Sequence, residues 1–543
     1  MRSVIWVLIF VCLSPMILAS TSIPLLSVSE GIGNRSGSTA EANLEVRLGS
    51  GSVYIDTQPL TRIDTQLSVR FARDYACMLA GLDCTRRDFF YQIRAPTILI
   101  GGPSAGAAFT VLTYAELTNT RIDPSVAVTG TINSGGMIGP VGGISEKVIA
   151  ARLNGFTRVL VPALEFSSSS VISGIEVIPV WDIEEVIFYM TGKDVRMPQQ
   201  EIIIPLEYHA QMAIVASDLC SRANTLRERT QSNSSDALIE RGAIAADEQL
   251  FYSSASFCFG ANLRLQEEFL SSRSQSALRG IVFQLQEDII EFDASLPTTF
   301  STITDLEVFM GVRERLLESQ SQLESITLDN ISPSTLAVAV ERLSSARSWS
   351  SFFGVIPSPE ITISERALMQ GCSLKISEAQ ERVNYVQFLL DIPLDSIRED
   401  VGRSLQYQSG GEFALCIFSA AKAKASANSI IGAVMSGESI NKTVEYKRNK
   451  AATLIGSRTQ QEIFPILSYA YYEYSGQVDD IFSAHLYAEF ALEFSMLDIY
   501  FPRSSSEFLI DTRMVFALGS GFLIGLMIGV LVLELVYARR RKK

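Results

Sequence analysis

A serine on a glycine-flanked turn and one downstream lysine are the residues of this 543-residue chain with the clearest chemical potential. Ser104 follows Gly101-Gly102-Pro103, and Lys147 is the only lysine among the first 192 residues. A buried lysine can lose its proton and act as a general base, whereas arginine cannot. The pair therefore suggests a hydrolase in which a serine attacks and a lysine accepts its proton.

Histidine is not available for the role of the base. The chain has only two histidines, His209 and His485, and both are far from Ser104 in the sequence. This distribution excludes a Ser-His-Asp triad, and equally a histidine-rich zinc site, within the first 200 residues. We therefore expect no metal and no other cofactor, and a desolvated lysine becomes the natural base for Ser104.

The residues around the serine predict a strand end, a turn and a helix start. Glycines and proline before Ser104 can form the tight backbone that lifts the serine off the strand. The small residues after it are typical of a helix N-terminus, whose N–H groups could serve as an oxyanion hole. This loop is predicted to use Gly102, Pro103, Ala105 and Gly106.

Four segments, in this order, resemble the proteolytic domain of Lon-type proteases. Residues 88–106 end in the nucleophile loop, and residues 127–132 are similar to the family's threonine–glycine strand. Residues 141–151 resemble its lysine loop, with Gly142 and Gly143, and residues 177–186 resemble its closing strand and helix. The resemblance covers about residues 40–195 and says nothing about the rest of the chain.

The resemblance implies an α/β (α+β) domain that cleaves peptide bonds with a Ser–Lys dyad. Ser104 would attack the carbonyl, Lys147 would take its proton, and Thr129 would hydrogen-bond the lysine. The pKa of the lysine must fall for this role, which requires an apolar pocket. The predicted walls of that pocket are Val141, Ile144, Val148 and Ile149. Protein or peptide substrates are implied, and so is a homo-oligomer, because the family often forms rings of six.

The ATP-driven module of Lon proteases is not indicated by the sequence. No GxxxxGK[ST] motif occurs in the chain, so no P-loop for a nucleotide is predicted. We expect an ATP-independent endopeptidase that cleaves unfolded or membrane-proximal proteins. The alternative is a catalytically inactive, Lon-like cell-surface scaffold or binding protein.

The two termini predict a membrane-anchored, exported protein. Residues 1–22 have the charged start, apolar stretch and small residues of a secretory signal peptide, although an uncleaved anchor would look similar. Residues 514–537 are long and apolar enough to span a membrane, and the basic tail 538–543 places that end in the cytoplasm. Gly521, Gly525 and Gly529 favour self-association of the span, but a monomeric span remains an equal alternative.

Cysteine usage agrees with an oxidising exterior. Outside the signal segment the cysteines are Cys77, Cys84, Cys220, Cys258, Cys372 and Cys416. An even number in an exported chain suggests disulfides, and pairing neighbours in sequence is the simplest option. Buried free thiols are the alternative.

Composition predicts a large folded body with two main parts. The chain is 47% apolar and 19% charged, with a net charge of −14, which argues against a nucleic-acid partner. Residues 23–40 are Ser/Gly-rich and are predicted to be a flexible leader to the Lon-like domain at 41–197. Residues 198–510 show apolar residues at helical spacing and are predicted to form a mostly α-helical ectodomain. Stacked helical pairs are one arrangement open to it, although no fixed period is present.

Overall fold

A computed structural model describes residues 21–31, 34–166, 172–361, 363–501 and 512–541. Strands and helices mix up to residue 191, and the rest of the described chain is almost entirely helical. This arrangement agrees with the predicted fold class. The predicted signal peptide falls almost wholly in residues 1–20, outside the described residues.

The first sheet has four strands in the order β1-β2-β4-β3. Its members are β1 (Thr21–Gly31), β2 (Asn34–Leu48), β3 (Val53–Thr61) and β4 (Arg87–Ile100). β2 pairs antiparallel with both β1 and β4, and β3 pairs parallel with β4. The parallel pair is connected through helix α1 (Ile63–Ala80), which packs on helix α2 (Gly106–Thr118).

A second, parallel sheet has the order β5-β8-β9. Its strands are β5 (Val126–Val128), β8 (Arg158–Pro162) and β9 (Glu176–Val180). A small hairpin, β6 (Thr131–Ile132) and β7 (Ile138–Gly139), precedes helix α3 (Ile144–Leu153), and helix α4 (Ile183–Thr191) closes the region. All three β5 residues are buried, as expected for a parallel strand covered on both faces.

Within the segment expected to be a flexible leader, residues 23–40, the described residues 23–31 and 34–40 are instead part of the first sheet. Ile23, Leu25 and Leu26 are buried, and β1 pairs with β2 along its whole length. Gly37 lies so close to α3 that a Cβ there would be 2.1 Å from Glu146 O. The small residues of this segment therefore allow close packing against the helix that carries Lys147. Composition alone does not reveal this packing, because flexible segments are also rich in serine and glycine.

In the described part of the second region, twelve α-helices of 10 to 26 residues are present. They are α5 (Leu206–Thr230), α6 (Asp236–Asp247), α7 (Phe251–Ser271), α8 (Gln275–Ala294), α9 (Ile303–Glu324), α10 (Pro333–Ser350), α11 (Glu365–Leu390), α12 (Asp395–Ser409), α13 (Phe413–Ser436), α14 (Ile440–Thr459), α15 (Ile466–Ser475) and α16 (Ile481–Phe494). Their unequal lengths agree with the absence of a fixed period in the sequence.

The two regions share one hydrophobic core. Leu454 of α14 and Leu492 of α16 belong to the same buried cluster as Phe109 of α2 and Ile187 of α4. The turn Ser134–Gly136 is completely buried at this contact, and Ser134 Oγ donates a hydrogen bond to Glu493. The helical region is thus packed directly against the α/β region rather than tethered to it.

Three disulfides join cysteines that are neighbours along the chain: Cys77–Cys84, Cys220–Cys258 and Cys372–Cys416. These are the pairs that the sequence analysis gave as the simplest option. The first lies within the α/β region and the other two within the helical region, so none of them crosses between the regions.

A last helix, α17 (Thr512–Arg540), follows the helical region. Its part from Gly519 to Arg540 is long and apolar enough to cross a membrane, and the described chain contains one such helix. It overlaps the predicted span at residues 514–537. Gly521, Gly525 and Gly529 all lie within it.

Candidate active site

The loop that carries Ser104 connects the end of β4 to the start of α2. Gly102 has φ of +101°, a conformation that L side chains rarely adopt. Its N–H donates to Asp64 Oδ1 at 3.1 Å, and its carbonyl accepts from Thr65 Oγ1 at 3.2 Å. The N-terminus of α1 therefore fixes the backbone before the serine, whose side chain is half-buried.

The backbone after β5 holds the serine from the other side. Gly130 N–H donates to Ser104 O at 2.9 Å, and Thr129 Oγ1 donates to the same oxygen at 3.4 Å. Ala107 N–H returns a hydrogen bond of 3.1 Å to Gly130 O. The first turn of α2 is thereby joined to the chain segment that carries Thr129.

Lys147 lies in the first turn of α3. Gly143, in the left-handed conformation at φ 70°, caps the helix N-terminus, and the Lys147 N–H donates to its carbonyl at 3.0 Å. The Lys147 side chain is 2% exposed, and its Nζ donates to Thr129 Oγ1 at 3.1 Å. The Thr129 hydroxyl thus links the lysine amine to the backbone of the serine.

The apolar residues that line the Lys147 pocket differ from the four predicted ones at one position. Val141 and Val148 are buried and Ile144 is half-buried, but Ile149 is 40% exposed. Two residues along a helix place side chains on nearly opposite faces, so Ile149 points away from the side on which Lys147 is enclosed. Ile149 is therefore not a wall of this pocket.

Burial is the main cause of the lowered pKa of Lys147. Loss of hydration lowers the pKa of Lys147 to about 8, and the nearby carboxylates of Glu165 and Glu146 oppose this fall without cancelling it. Among the described residues, no carboxylate oxygen lies within 4.0 Å of Lys147 Nζ. About one tenth of the molecules would hold a neutral Lys147 at pH 7.

Glu165, which the sequence analysis did not single out, faces the lysine from the short 3-10 helix Ala163–Glu165 that follows β8. Burial raises the pKa of Glu165 to about 7, against the opposing effects of the Val141 N–H and the Lys147 charge. Its Oε2 accepts a hydrogen bond of 2.6 Å from Val141 N–H, at the start of the lysine loop. The site therefore contains a second buried titratable group.

Helix α11 of the helical region also reaches this site. Tyr385 Oη donates to Pro140 O at 3.1 Å, and Arg382 Nη1 donates to Thr131 Oγ1 at 3.4 Å. Both side chains are buried, and both lie about 250 residues from their partners in the chain. No local pattern signals such contacts, which is why the sequence analysis missed them.

The arrangement joins a buried lysine amine, a threonine hydroxyl and the backbone carbonyl of a serine in one hydrogen-bonded set. The structure brings Ser104, Thr129 and Lys147 together, with Gly102, Pro103, Ala105 and Gly106 around the serine and Gly142 and Gly143 before the lysine. Across the described part of the chain, no group of three or more His, Cys, Asp or Glu side chains could hold a metal ion.

Comparison with known proteins shows that this region is similar to one protein family. Residues 86–191 match the family described as the Lon protease (S16) C-terminal proteolytic domain. The chain is 41% identical to the Lon protease of Methanosphaera stadtmanae over 87 residues, which are 16% of this chain and 10% of that protein. It is 30% identical to the Lon protease of Methanosarcina barkeri over 169 residues, which are 30% and 20% of the two chains.

A third relative is the archaeal Lon protease of Methanocaldococcus jannaschii, 29% identical over 106 residues, or 20% of this chain and 16% of that protein. The chain thus spans between 10% and 20% of the length of these relatives. The resemblance found in the sequence is confirmed: the region around Ser104 and Lys147 is a Lon-type proteolytic domain.

Proposed function

We propose that this protein is a serine endopeptidase in which Ser104 is the nucleophile and Lys147 the general base. The observation that carries the proposal is the enclosed lysine: its amine is buried, hydrogen-bonded to a neutral hydroxyl and low in pKa. Such an amine can be neutral near physiological pH and accept a proton. The match to a Lon-type proteolytic domain supports the same reading.

In the proposed reaction, Lys147 Nζ takes the proton of Ser104 Oγ as the oxygen attacks the peptide carbonyl. The protonated lysine then gives this proton to the leaving amine, and an acyl-enzyme remains on Ser104. Lys147 next takes a proton from water as the water oxygen attacks the ester, and it returns this proton to Ser104 Oγ as the acid is released, which regenerates the neutral lysine and the serine hydroxyl. Thr129 holds the amine in place through both states.

The developing oxyanion needs N–H donors that are not already used. Gly106 N–H donates to Pro103 O at 3.0 Å, and Ala107 N–H donates to Gly130 O. We therefore assign the oxyanion hole to the N–H groups of Ser104 and Ala105, which lie just before the N-terminus of α2.

We further propose that the enzyme works without ATP. The sequence contains no P-loop motif, and the match to the Lon family covers the proteolytic domain alone. Unfolded, loosely folded or membrane-proximal proteins are the proposed substrates, because cleaving these requires no unfolding of a stable fold.

The proposed location is the outer face of a membrane. An apolar helix long enough to span the bilayer precedes the basic residues 539–543, which favour the cytoplasmic side for that end. The three disulfides support an oxidising compartment for the body of the protein. Pairing of the glycine-bearing face of α17, or a ring of catalytic domains, would make the enzyme a homo-oligomer.

The proposal is tested by peptide-bond hydrolysis of an unfolded protein by the full chain in detergent, without nucleotide. Ser104→Ala and Lys147→Met are measured in parallel, with circular dichroism to follow folding. Loss of hydrolysis in both folded variants supports the mechanism. A wild-type protein that cleaves no substrate between pH 6 and 10 would favour a non-enzymatic scaffold that retains the fold.

A further inference from the structure

One peptide group at the start of the lysine loop is held at both of its polar ends. The carbonyl of Pro140 accepts from Tyr385 Oη at 3.1 Å, and the N–H of Val141 donates to Glu165 Oε2 at 2.6 Å. These two backbone groups belong to the same peptide bond. Because a peptide group is planar, the two contacts together fix its orientation.

The held peptide lies between the β7 strand and the helix that carries the base. β7 ends at Gly139, and α3, with Lys147 in its first turn, begins at Ile144. The loop between them contains Gly142 and Gly143, which give it little stiffness of its own. Its position therefore depends on contacts from outside the loop.

The contact from α11 is part of a buried polar face of that helix. Lys375, Glu378, Arg382 and Tyr385 recur at three- and four-residue steps, so they lie on one side of the helix. Lys375 contacts Glu493 and Glu378, and Arg382 reaches Thr131 of β6. These buried contacts join α11 to Glu493 of α16 on one side and to Thr131 on the other, so the helix is held next to the lysine loop.

We propose that Tyr385 and Glu165 are positioning residues for Lys147: by holding the 140–141 peptide from opposite sides, they fix the lysine loop, so that the helical region completes the catalytic site. This inference rests on the proposed Ser–Lys mechanism. It gives the helical region, about 300 residues outside the Lon-type match, a role in positioning the proposed base.

The expected effect follows from how sensitive proton transfer is to geometry. A misplacement of about 1 Å at a reacting group can lower a rate about a hundredfold. Loss of the Tyr385 hydroxyl leaves the Pro140 carbonyl buried without this donor and frees the loop to move. The turnover number should therefore fall, while substrate affinity changes little.

Glu165 adds an electrostatic effect that a purely structural residue would not have. The groups that face it are Lys147 and Tyr385, and Lys147 is faced by Glu165 and Glu146. Glu165 is largely ionised where Lys147 titrates, and its charge favours the protonated lysine. Glu165→Gln keeps an acceptor for the Val141 N–H but removes the charge. The pH midpoint of activity should therefore move down by about half a unit to one unit.

The first test compares two Tyr→Phe variants of the full chain in detergent. Tyr385→Phe is the test, and Tyr208→Phe is the control, because Tyr208 is also buried in the helical region but its hydroxyl has no hydrogen-bond partner among the described residues. We expect Tyr385→Phe to lower kcat tenfold to a hundredfold with KM within twofold, and Tyr208→Phe to change neither.

Hydrogen–deuterium exchange of the 138–148 peptide, read by mass spectrometry, tests whether Tyr385 holds the 140–141 peptide group, without relying on activity. Exchange should be at least tenfold faster in Tyr385→Phe and unchanged in Tyr208→Phe. Unchanged exchange and kcat in Tyr385→Phe, or a Glu165→Gln midpoint that stays or rises, would overturn the proposal. If Ser104→Ala is as active as the wild type while exchange responds as expected, the Ser–Lys mechanism is wrong, but the inference that Tyr385 holds the lysine loop stands.

Discussion

Two lysines with the same burial, one in each region, have opposite pKa behaviour. Lys147 in the α/β region and Lys375 in the helical region are each 2% exposed. Burial lowers the pKa of Lys147 to about 8. Burial acts on Lys375 in the same direction, but the charges of Glu378 and Glu493 outweigh it, and the pKa of Lys375 ends above its usual value.

The difference lies in the partners rather than in the depth of burial. Lys375 Nζ is in contact with two carboxylates, whereas the hydrogen bond of Lys147 goes to the hydroxyl of Thr129. A neutral partner orients an amine and stabilises its charged form less than a carboxylate does. Burial therefore lowers the pKa of a lysine only where carboxylates are kept away from the amine. Where carboxylates contact the amine, the same residue type forms a structural ion pair.

The largest expected effect comes from Lys147→Met. We expect peptide hydrolysis to fall at least about a thousandfold, because the proton acceptor is lost. The urea midpoint of unfolding should not fall, because methionine fills the pocket without the cost of burying a charge. A variant that keeps activity would show that another group accepts the proton, and one that unfolds would show that the lysine is structural.

The same substitution at the other lysine should have the reverse outcome. Lys375→Met leaves Glu378 and Glu493 with Lys424, which lies 2.6 and 3.5 Å from them, as their remaining cationic partner. We expect a loss of about 3 kcal/mol in the free energy of unfolding, measured by urea titration. If both variants lose stability equally, the contrast between the two lysines is wrong.

A smaller effect is expected when the neutral partner of Lys147 is removed. Thr129→Val deletes the hydroxyl that receives the 3.1 Å hydrogen bond but preserves the shape of the side chain. Activity should fall about tenfold to a hundredfold, since the amine loses its fixed direction. Thr129→Ser restores the hydroxyl and should recover most of this loss, and failure to do so would point to packing.

The pH profile should show the mildest effect. The reaction needs neutral Lys147, so activity should rise about tenfold per unit below its pKa of about 8 and level off above it. Between pH 7 and pH 9 the gain should be about tenfold. An initial-rate series with an uncharged peptide substrate measures the midpoint, and a profile flat from pH 6 to 10 would contradict the assigned base.

Ser104, Thr129 and Lys147 could be picked out from the sequence because they sit in short motifs with characteristic spacing, and their catalytic roles stay a prediction. Ser104, Thr129 and Lys147 each lie on or beside a glycine turn, and the structure places them in one hydrogen-bonded set. The α/β character of the first region and the helical character of the second were also predicted, since both follow from local periodicity.

The supports of the site were not predictable in the same way. Tyr385 and Pro140 are 245 residues apart, and no local pattern relates one side chain to a distant carbonyl. Residues 23–40 were misread because serine and glycine are common both in loose segments and in strands that pack tightly against a helix. Ile149 was assigned to the pocket by hydrophobicity alone, although its helical position turns it outward.

The shared core has a consequence for the order in which the protein is made. Ser134 and Glu493, whose buried side chains are in contact between the two regions, are 359 residues apart in the chain. A ribosome therefore completes the whole Lon-type segment long before it delivers α14 and α16, which cover the 134–136 turn. Through most of its synthesis the nascent chain therefore carries Ser104 and Lys147 without the helices that pack on the 134–136 turn in the finished protein.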